Sequence, residues 1–368
     1  MDVSSRDWFR RSIRPLLGVL ALVYGAVVRL RVALYATGWF GLAKRLPGRV
    51  ISVGNLTVGG TGKTPCVAWI ARYLHAEGER VAILSRGYRR ESRGRVEVSD
   101  GARVLATPQE AGDEPWLLAR SCPGVRVVVD HRRYEAGRWL HETVAAERGV
   151  AVFLLDDGYQ HLQLARDLNL LLVDAGDPLP QARLAPLGRL REPLSQLRRA
   201  DAVIITRSDQ PYDERALDQL LQRYLRPATP VFHAAHELTS LSDWESGERV
   251  EVAQLGGRRV AAIAGIARPA RFYDDLRRLG LNLGWTRSFP DHHRYRPADL
   301  AEIAAAAQAA GAAAVLMTEK DAANWPPGSP IGLPLLVARI EFRCREEQAL
   351  KSLLRRRVAT SPGSRGEG

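Results

Sequence analysis

The sequence predicts an α/β protein built on a doubly wound parallel sheet and followed by a second, smaller α/β domain. Three observations carry this expectation. Short β-rich runs alternate with helical stretches from Arg49 onward. A glycine-rich loop, Ser52–Pro65, stands between an apolar strand and a helical run. After a polar, irregular stretch at 226–258 the alternation resumes.

Taken in order, the expected strands of the larger domain are Val50–Val53, Val81–Ser85, Val125–Val129, Val152–Leu155, Leu170–Val173 and Val203–Thr206. Pro65–Ala76 and Arg132–Glu147 carry helical patterns between them. The smaller domain reads as strand Val260–Ala264, helix Pro269–Leu279, helix Pro297–Ala310, strand Ala314–Thr318 and strand Leu335–Ala338. The resulting division is an N-terminal helical segment at the membrane interface (1–48), the larger domain (49–225), a linker (226–258), the smaller domain (259–355) and a basic tail (356–368). From Ala359 the tail is rich in Ser, Gly and Arg, a composition that resists folding.

Charge is concentrated at the two ends. The net charge of the 368 residues is +12. Residues 1–50 hold nine basic residues against two acidic ones, and residues 351–368 hold five against one, so the middle of the chain is nearly neutral. A nucleic-acid enzyme spreads positive charge over its folded body, so no nucleic-acid partner is expected. Basic ends fit an anionic surface. The three cysteines, Cys66, Cys122 and Cys344, are far apart and form no CxxC pair, so neither a disulfide framework nor a thiolate zinc site is suggested, which suits a reducing compartment.

Leu16–Val28 is free of charge, and as a helix it would span about 20 Å, short of the roughly 30 Å hydrocarbon core. Arg29 and Arg31 interrupt it before a second apolar stretch, Val32–Ala43. This pattern reads as a helix, or helix pair, lying in the interface with arginines at the headgroups. A secretory signal and a buried core helix are the competing readings.

The loop Ser52–Pro65, SVGNLTVGGTGKTP, has the strand-before, helix-after context of a P-loop, which makes the larger domain P-loop NTPase-type. Its phosphate-binding run is Thr57, Val58, Gly59, Gly60, Thr61, Gly62, Lys63 and Thr64. The glycines let backbone N–H groups approach phosphate oxygens, Lys63 reaches the β- and γ-phosphates, and the Thr64 hydroxyl faces Mg²⁺. The first glycine of the usual G-x-x-x-x-G-K-[ST] pattern is replaced by Thr57. In Val152–His161, VFLLDDGYQH, an apolar strand ends in Asp156 and Asp157, where P-loop enzymes place an acidic residue toward Mg²⁺. ATP and Mg²⁺ are therefore the expected ligands.

Together the two motifs resemble the tetraacyldisaccharide 4′-kinases of lipid A biosynthesis. The resemblance extends through Ser85-Arg86-Gly87-Tyr88, Gly112-Asp113-Glu114-Pro115, Arg191-Glu192-Pro193, Ala264-Gly265-Ile266, Asp291-His292-His293 and Thr318-Glu319-Lys320-Asp321, from about Pro15 to Lys351. It implies transfer of the ATP γ-phosphate to the 4′-hydroxyl of an acylated glucosamine disaccharide 1-phosphate, giving lipid IVA, at the cytoplasmic face of the inner membrane. No protein partner is implied.

The same resemblance points to Asp113 and His292 as catalytic, with Lys63, and leaves open which of the two takes the hydroxyl proton. It adds Glu192 to the metal set of Thr64, Asp156 and Asp157, and places Gln160 and His161 near the site. Arg86 and Tyr88 stand just past a predicted strand end, where they hold the acceptor or form a structural turn. Asp113 also suits a helix start on its own account. The rival reading is a GTPase-like switch or metallochaperone, since Thr206-Arg207-Ser208-Asp209 follows a strand and faintly resembles a guanine-reading element. A membrane-binding module without catalysis has no use for Lys63 and the aspartate pair.

Overall fold

The computed structural model describes residues 3–39, 41, 43–177, 179 and 182–359. Its first half contains strands β1 (Arg49–Asn55), β2 (Val81–Ser85), β3 (Val96–Asp100), β4 (Arg126–Val129), β5 (Val152–Asp156), β6 (Leu168–Asp174), β7 (Ala202–Thr206) and β8 (Val231–Asp243). They lie in the order β8-β7-β6-β1-β5-β2-β4-β3, parallel throughout except for the antiparallel edge strand β3. The second half adds β9 (Arg249–Val250), β10 (Arg259–Ala264), β11 (Asn282–Ser288), β12 (Val315–Thr318) and β13 (Leu335–Cys344). These continue the same sheet as β11-β10-β12-β13-β8, with β9 paired to β8.

The helices are α1 (Val3–Ala36), α2 (Lys63–Ala76), α3 (Pro108–Ala111), α4 (Asp113–Ser121), α5 (Arg133–Thr143), α6 (Glu214–Tyr224), α7 (Pro269–Arg278), α8 (Pro297–Ala309), α9 (Glu319–Ala323) and α10 (Glu347–Ala359). Both faces of the sheet are covered, which is why β5 is an unbroken buried run. Ile51 and Val53 of β1 pack with Val67, Ile70 and Leu74 of α2 on one face. Val50 joins Phe153, Leu155 and Leu140 on the other. Each such burial contributes about 1.5–3 kcal/mol. The second half repeats the scheme, with Ile303 and Trp325 in one core and Phe272 and Leu276 in the other.

The relation between the halves rests on β8. Its first residues pair in parallel with β7 up to Thr206↔Ala234. From Ala234 to Asp243 it runs on past the end of β7 and pairs antiparallel with β13. Since β13 is parallel to β12, and β10 to β12 and β11, the second half's parallel strands point back toward the first. The carboxyl ends of two parallel sheets thus face each other across a cleft, and carboxyl ends are where open α/β sheets bind ligands.

Three expectations need correction. The stretch 226–258, expected as a linker, contains the 13-residue strand β8, and a half-buried polar alternation hid it. Of the two alternatives for the N-terminal segment, the single helix holds; it passes through Arg29 and Arg31 without a break and ends at Ala36, short of the Ala43 limit expected for the second apolar stretch. Its exposed arginines need no interruption, because a helix only requires them to face outward. The basic tail begins later than expected, since α10 continues to Ala359; residues 360–368 lie outside the described residues.

Candidate active site

The loop after β1 is held open on its phosphate side and clamped from behind. Gly59 and Gly62 have φ of 122° and 79°, values that favour glycine. A Cβ on Gly62 would also strike the ring of His236, at 1.9 Å from Cε1. Behind the loop, the Thr206 hydroxyl donates to the Thr61 carbonyl at 3.0 Å and Arg207 Nη1 to the Gly60 carbonyl at 3.2 Å. Val58 N–H donates to the Arg189 carbonyl at 2.8 Å, and Thr57 bridges to Leu190. The first-glycine position is therefore occupied by a residue in extended pairing, which needs no glycine. Thr64 lies in the first turn of α2, half-buried.

Lys63 Nζ lies 3.4 Å from Asn55 Oδ1 and 3.5 Å from Asp157 Oδ1. Asp157, with φ of 49°, also accepts from Arg191 at 2.8 Å. Burial pushes its carboxyl up, but Lys63 and Arg191 outweigh this and hold it at about 2. Asp156 differs. It is 2% exposed, accepts one bond from the Ser85 hydroxyl at 2.9 Å, and its Oδ1 is buried without a partner. Burial first, then the charges of Glu114 and Asp157, raise it to about 6. An orphaned buried carboxylate oxygen beside Lys63 and the start of α2 is what a magnesium–phosphate group would satisfy, so the residues fit Mg-ATP.

Above this floor, α4 presents Asp113 and Glu114. The His292 Nδ1–H donates to Asp113 Oδ2 at 2.7 Å, across the cleft from the loop after β11. Asp113 is 7% exposed, and its Oδ1 accepts the Glu114 N–H at 2.9 Å. Burial pushes the Asp113 carboxyl up, but the His292 hydrogen bond and the charge of Lys320 hold it below the ordinary value. His292 itself is raised, chiefly by that hydrogen bond. Tyr88 stands edge-on to the His292 ring at 5.9 Å, and Arg86 is exposed beside it.

Gln160 and His161 lie one layer back. Gln160 Nε2 donates to the Asn55 carbonyl at 2.9 Å. His161 meets Arg133 at 3.3 Å, and burial with the surrounding arginines lowers it to about 3. Glu192 is buried against Arg199 and Gln160, with burial raising its carboxyl, and none of these contacts is with Thr64, Asp156 or Asp157. Its neighbour Arg191 pairs with Asp157. Sequence reasoning missed Arg191, Ser85, Glu114 and Lys320 as parts of this cluster; all four sit in motifs it quoted. Cys66, Cys122 and Cys344 are buried free thiols.

A family model described as Tetraacyldisaccharide-1-P 4'-kinase matches residues 13–359. The tetraacyldisaccharide 4'-kinase of Geobacter metallireducens is 44% identical over 86% of this chain and 90% of its own length. That of Pelobacter propionicus is 42% identical over 94% and 92%. The chain belongs to the tetraacyldisaccharide-1-P 4'-kinase family. LpxK from Aquifex aeolicus, whose crystal structure holds ATP, superposes with a TM-score of 0.76 at 34% identity, covering 95% of this chain and 99% of that one. The rival reading as a GTPase-like switch is not favoured by these likenesses. The chain is an ATP-dependent kinase, and the fold is the P-loop α/β arrangement expected from the sequence.

Proposed function

We propose that the Asp113–His292 pair aligns and deprotonates the 4′-hydroxyl of an acylated glucosamine disaccharide 1-phosphate while the P-loop holds Mg-ATP. The observation that carries this reading is the 2.7 Å bond joining the two halves at Asp113, whose neighbour Glu114 feels the charge of Lys63. Asp113 is the proton acceptor. Glu114, its neighbour, lies within electrostatic reach of Lys63 and Asp156, whereas the other His292 nitrogen faces Asp291 at 3.7 Å. The bond from the γ-phosphorus to its bridging oxygen breaks and the bond to the sugar oxygen forms, with the hydroxyl proton passing to Asp113 and ADP leaving. Lys63 and the loop N–H groups stabilise the charge that develops on the phosphoryl oxygens. Thr64, Asp156 and Asp157 would hold Mg²⁺, which neutralises phosphate charge when bound. Glu192 fits a supporting role through Gln160 better than a ligand role. Arg86, Tyr88 and the arginines around His161 offer cationic and aromatic contacts to the acceptor.

The enzyme works at the cytoplasmic face of the inner membrane. Supporting this, Pro15–Ala36 is 22 residues long with mean hydropathy 1.9 and 11% burial, and by length and composition it could cross a membrane. Leu16, Val19, Leu22, Val27 and Leu30 are exposed, while a narrow stripe of Ala21, Gly25 and Val32 faces the protein. An exposed apolar surface of that extent marks a membrane or partner contact. The Tyr24 hydroxyl and Arg31 bond the carbonyls of Arg191 and Gln160, which ties the helix to the active site. The test is purified protein with labelled ATP and the 1-phosphorylated acceptor in mixed micelles, scored for label in the lipid and for displacement by GTP. Labelled lipid with ATP alone as donor is expected; equal use of GTP or no lipid product overturns the reading. Protein lacking residues 1–45 should leave anionic vesicles, and unchanged sedimentation would place the anchor elsewhere.

A further inference from the structure

Two motifs, Ala264-Gly265-Ile266 and Thr318-Glu319-Lys320-Asp321, take no part in the reaction as described, yet both converge on it. Helix α9 is short and rigidly capped. The Thr318 side chain accepts from Asp321 N–H, and Asp321 Oδ2 accepts from Thr318 N–H and, at 2.6 Å, from its hydroxyl. Asp321 is 1% exposed and its other oxygen accepts the Gly265 N–H at 2.7 Å and the Tyr295 hydroxyl at 2.8 Å. Gly265 in turn accepts the His292 N–H on its carbonyl at 3.0 Å. A Cβ on Gly265 would lie 2.9 Å from Asp321 Oδ1, so only glycine lets these groups close. His292 and α9 are thereby fixed to one carboxylate. The next residue along, Lys320, extends its ammonium across the cleft to Glu114 Oε1.

We infer that Lys320 is a positioning residue for phosphoryl transfer: its ion pair with Glu114 sets the Asp113–Glu114 turn of the first half in register with His292 of the second. The inference rests on the Asp113–His292 reading above. Its geometry has three legs. Lys320 and His292 share the Asp321–Gly265 anchor, so they move together. Asp113 and Glu114 are adjacent in the first turn of α4, so holding one fixes the other. Packing of α4 against α9 is direct. Two bonds between the same rigid pieces define an orientation that one bond alone leaves free to pivot. The charges agree with this. Burial pulls the Lys320 ammonium down, but Glu114 and Asp113 outweigh it and leave the group above its ordinary value.

The experiment is a cycle of Lys320→Met, His292→Ala and the double variant, with Lys320→Arg alongside, read as kcat, KM for ATP and nucleotide affinity. Lys320→Met is expected to lower kcat about a hundredfold, the cost of a misplacement near 1 Å, with ATP affinity nearly unchanged. Lys320→Arg should regain most of the rate, and the double variant should be no slower than His292→Ala. Losses that multiply, or ATP binding that falls in step with kcat, overturn the inference. An active Lys320→Met beside a crippled His292→Ala sinks it alone, whereas a fully active His292→Ala removes the base reading and this inference with it. Should Lys320→Met not fold because Glu114 is left unpaired, Lys320→Gln, which keeps a donor to Glu114, takes its place in the same cycle.

Discussion

The two halves of the molecule are built alike and contribute differently. Each has parallel strands covered on both faces and a set of loops at their carboxyl ends. In the first half those loops gather a charged cluster around one carboxylate: Lys63 and Arg191 both pair with Asp157, the neighbour of Asp156. Among the described residues the second half shows no comparable cluster. Its loops deliver His292 and Lys320, single groups that complete a partner on the other side. The halves share apolar packing where Phe342, Leu350 and Leu354 join the core of α2, but the groups that bridge the cleft are polar: His292 to Asp113, Lys320 to Glu114, Arg89 to the Asp291 carbonyl, and Arg268 and Arg271 to Asp174. Apolar packing fixes the junction, whereas polar contacts exchange with water at modest cost, so this division suits a cleft that closes over nucleotide and excludes water as an acceptor.

The largest expected effect separates the halves most sharply. Lys63→Ala should lower kcat about a thousandfold, since removing a charged donor from developing phosphate charge costs about 3–4 kcal/mol. The second half should be untouched, with thermal unfolding close to that of the parent. A folded variant with near-parental kcat would mean the first half is not a phosphate site.

Next in size is the pair that spans the cleft. Asp113→Ala and His292→Ala are each expected to cost about a hundredfold in kcat, the usual scale of a positioned proton acceptor, with ATP affinity preserved. The double variant should be little worse than the poorer single, and multiplying losses would show two independent roles. The pH profile sharpens this. Asp113 must be ionised to act, and despite burial the His292 bond holds it below its ordinary value. Removing His292 lets the carboxyl rise, so the acid limb of kcat should move to higher pH in His292→Ala. A limb that stays put would show that His292 does not set the state of Asp113.

Ser85→Ala tests the floor of the site more gently. Its hydroxyl holds Asp156 at 2.9 Å, and loss of such an outer partner costs about 10–100-fold in metal affinity or activity. The expected sign is a higher Mg²⁺ concentration for half-maximal rate; an unchanged Mg²⁺ titration would remove Asp156 from the metal site.

The same contrast explains what could be read in the sequence. The first half was legible because strands buried on both faces are continuous apolar runs, and because phosphate chemistry demands glycines, lysine and paired aspartates close together in the chain. Missing from that reading were the strands with an exposed face. β11 alternates between exposed and half-buried along its whole length, and β8 is polar because it serves as an arm between halves. Asp113 and His292 are 179 positions apart, and only the family likeness paired them, since no local pattern marks such a contact. Arg191, one residue before the expected Glu192, pairs with Asp157 and went unassigned, because sequence alone does not say which of two adjacent polar residues faces the aspartates. Lys320 went unassigned because a lysine in a helix is usually a solvated one; the visible signal was the Thr318–Asp321 capping box, which fixes its helix in place.

The smallest expected effect is the one that best isolates why some bridging contacts matter. Arg294 of the second half pairs with Glu91 of the first, as Lys320 pairs with Glu114, but its side chain is 50% exposed and its partner's 60%. Water solvates both ions when they part, and an exposed pair is worth about 0–1 kcal/mol, so Arg294→Ala should change kcat by less than about fivefold. Lys320 and Glu114 are about half as accessible, at 27% and 30%, and hold the Asp113–Glu114 turn that we propose is catalytic. If charge across the cleft were all that mattered, the two arms would behave alike. A large loss in Arg294→Ala would therefore break the comparison, because it would show that closure is held by the sum of cross-cleft charges rather than by the register of one turn.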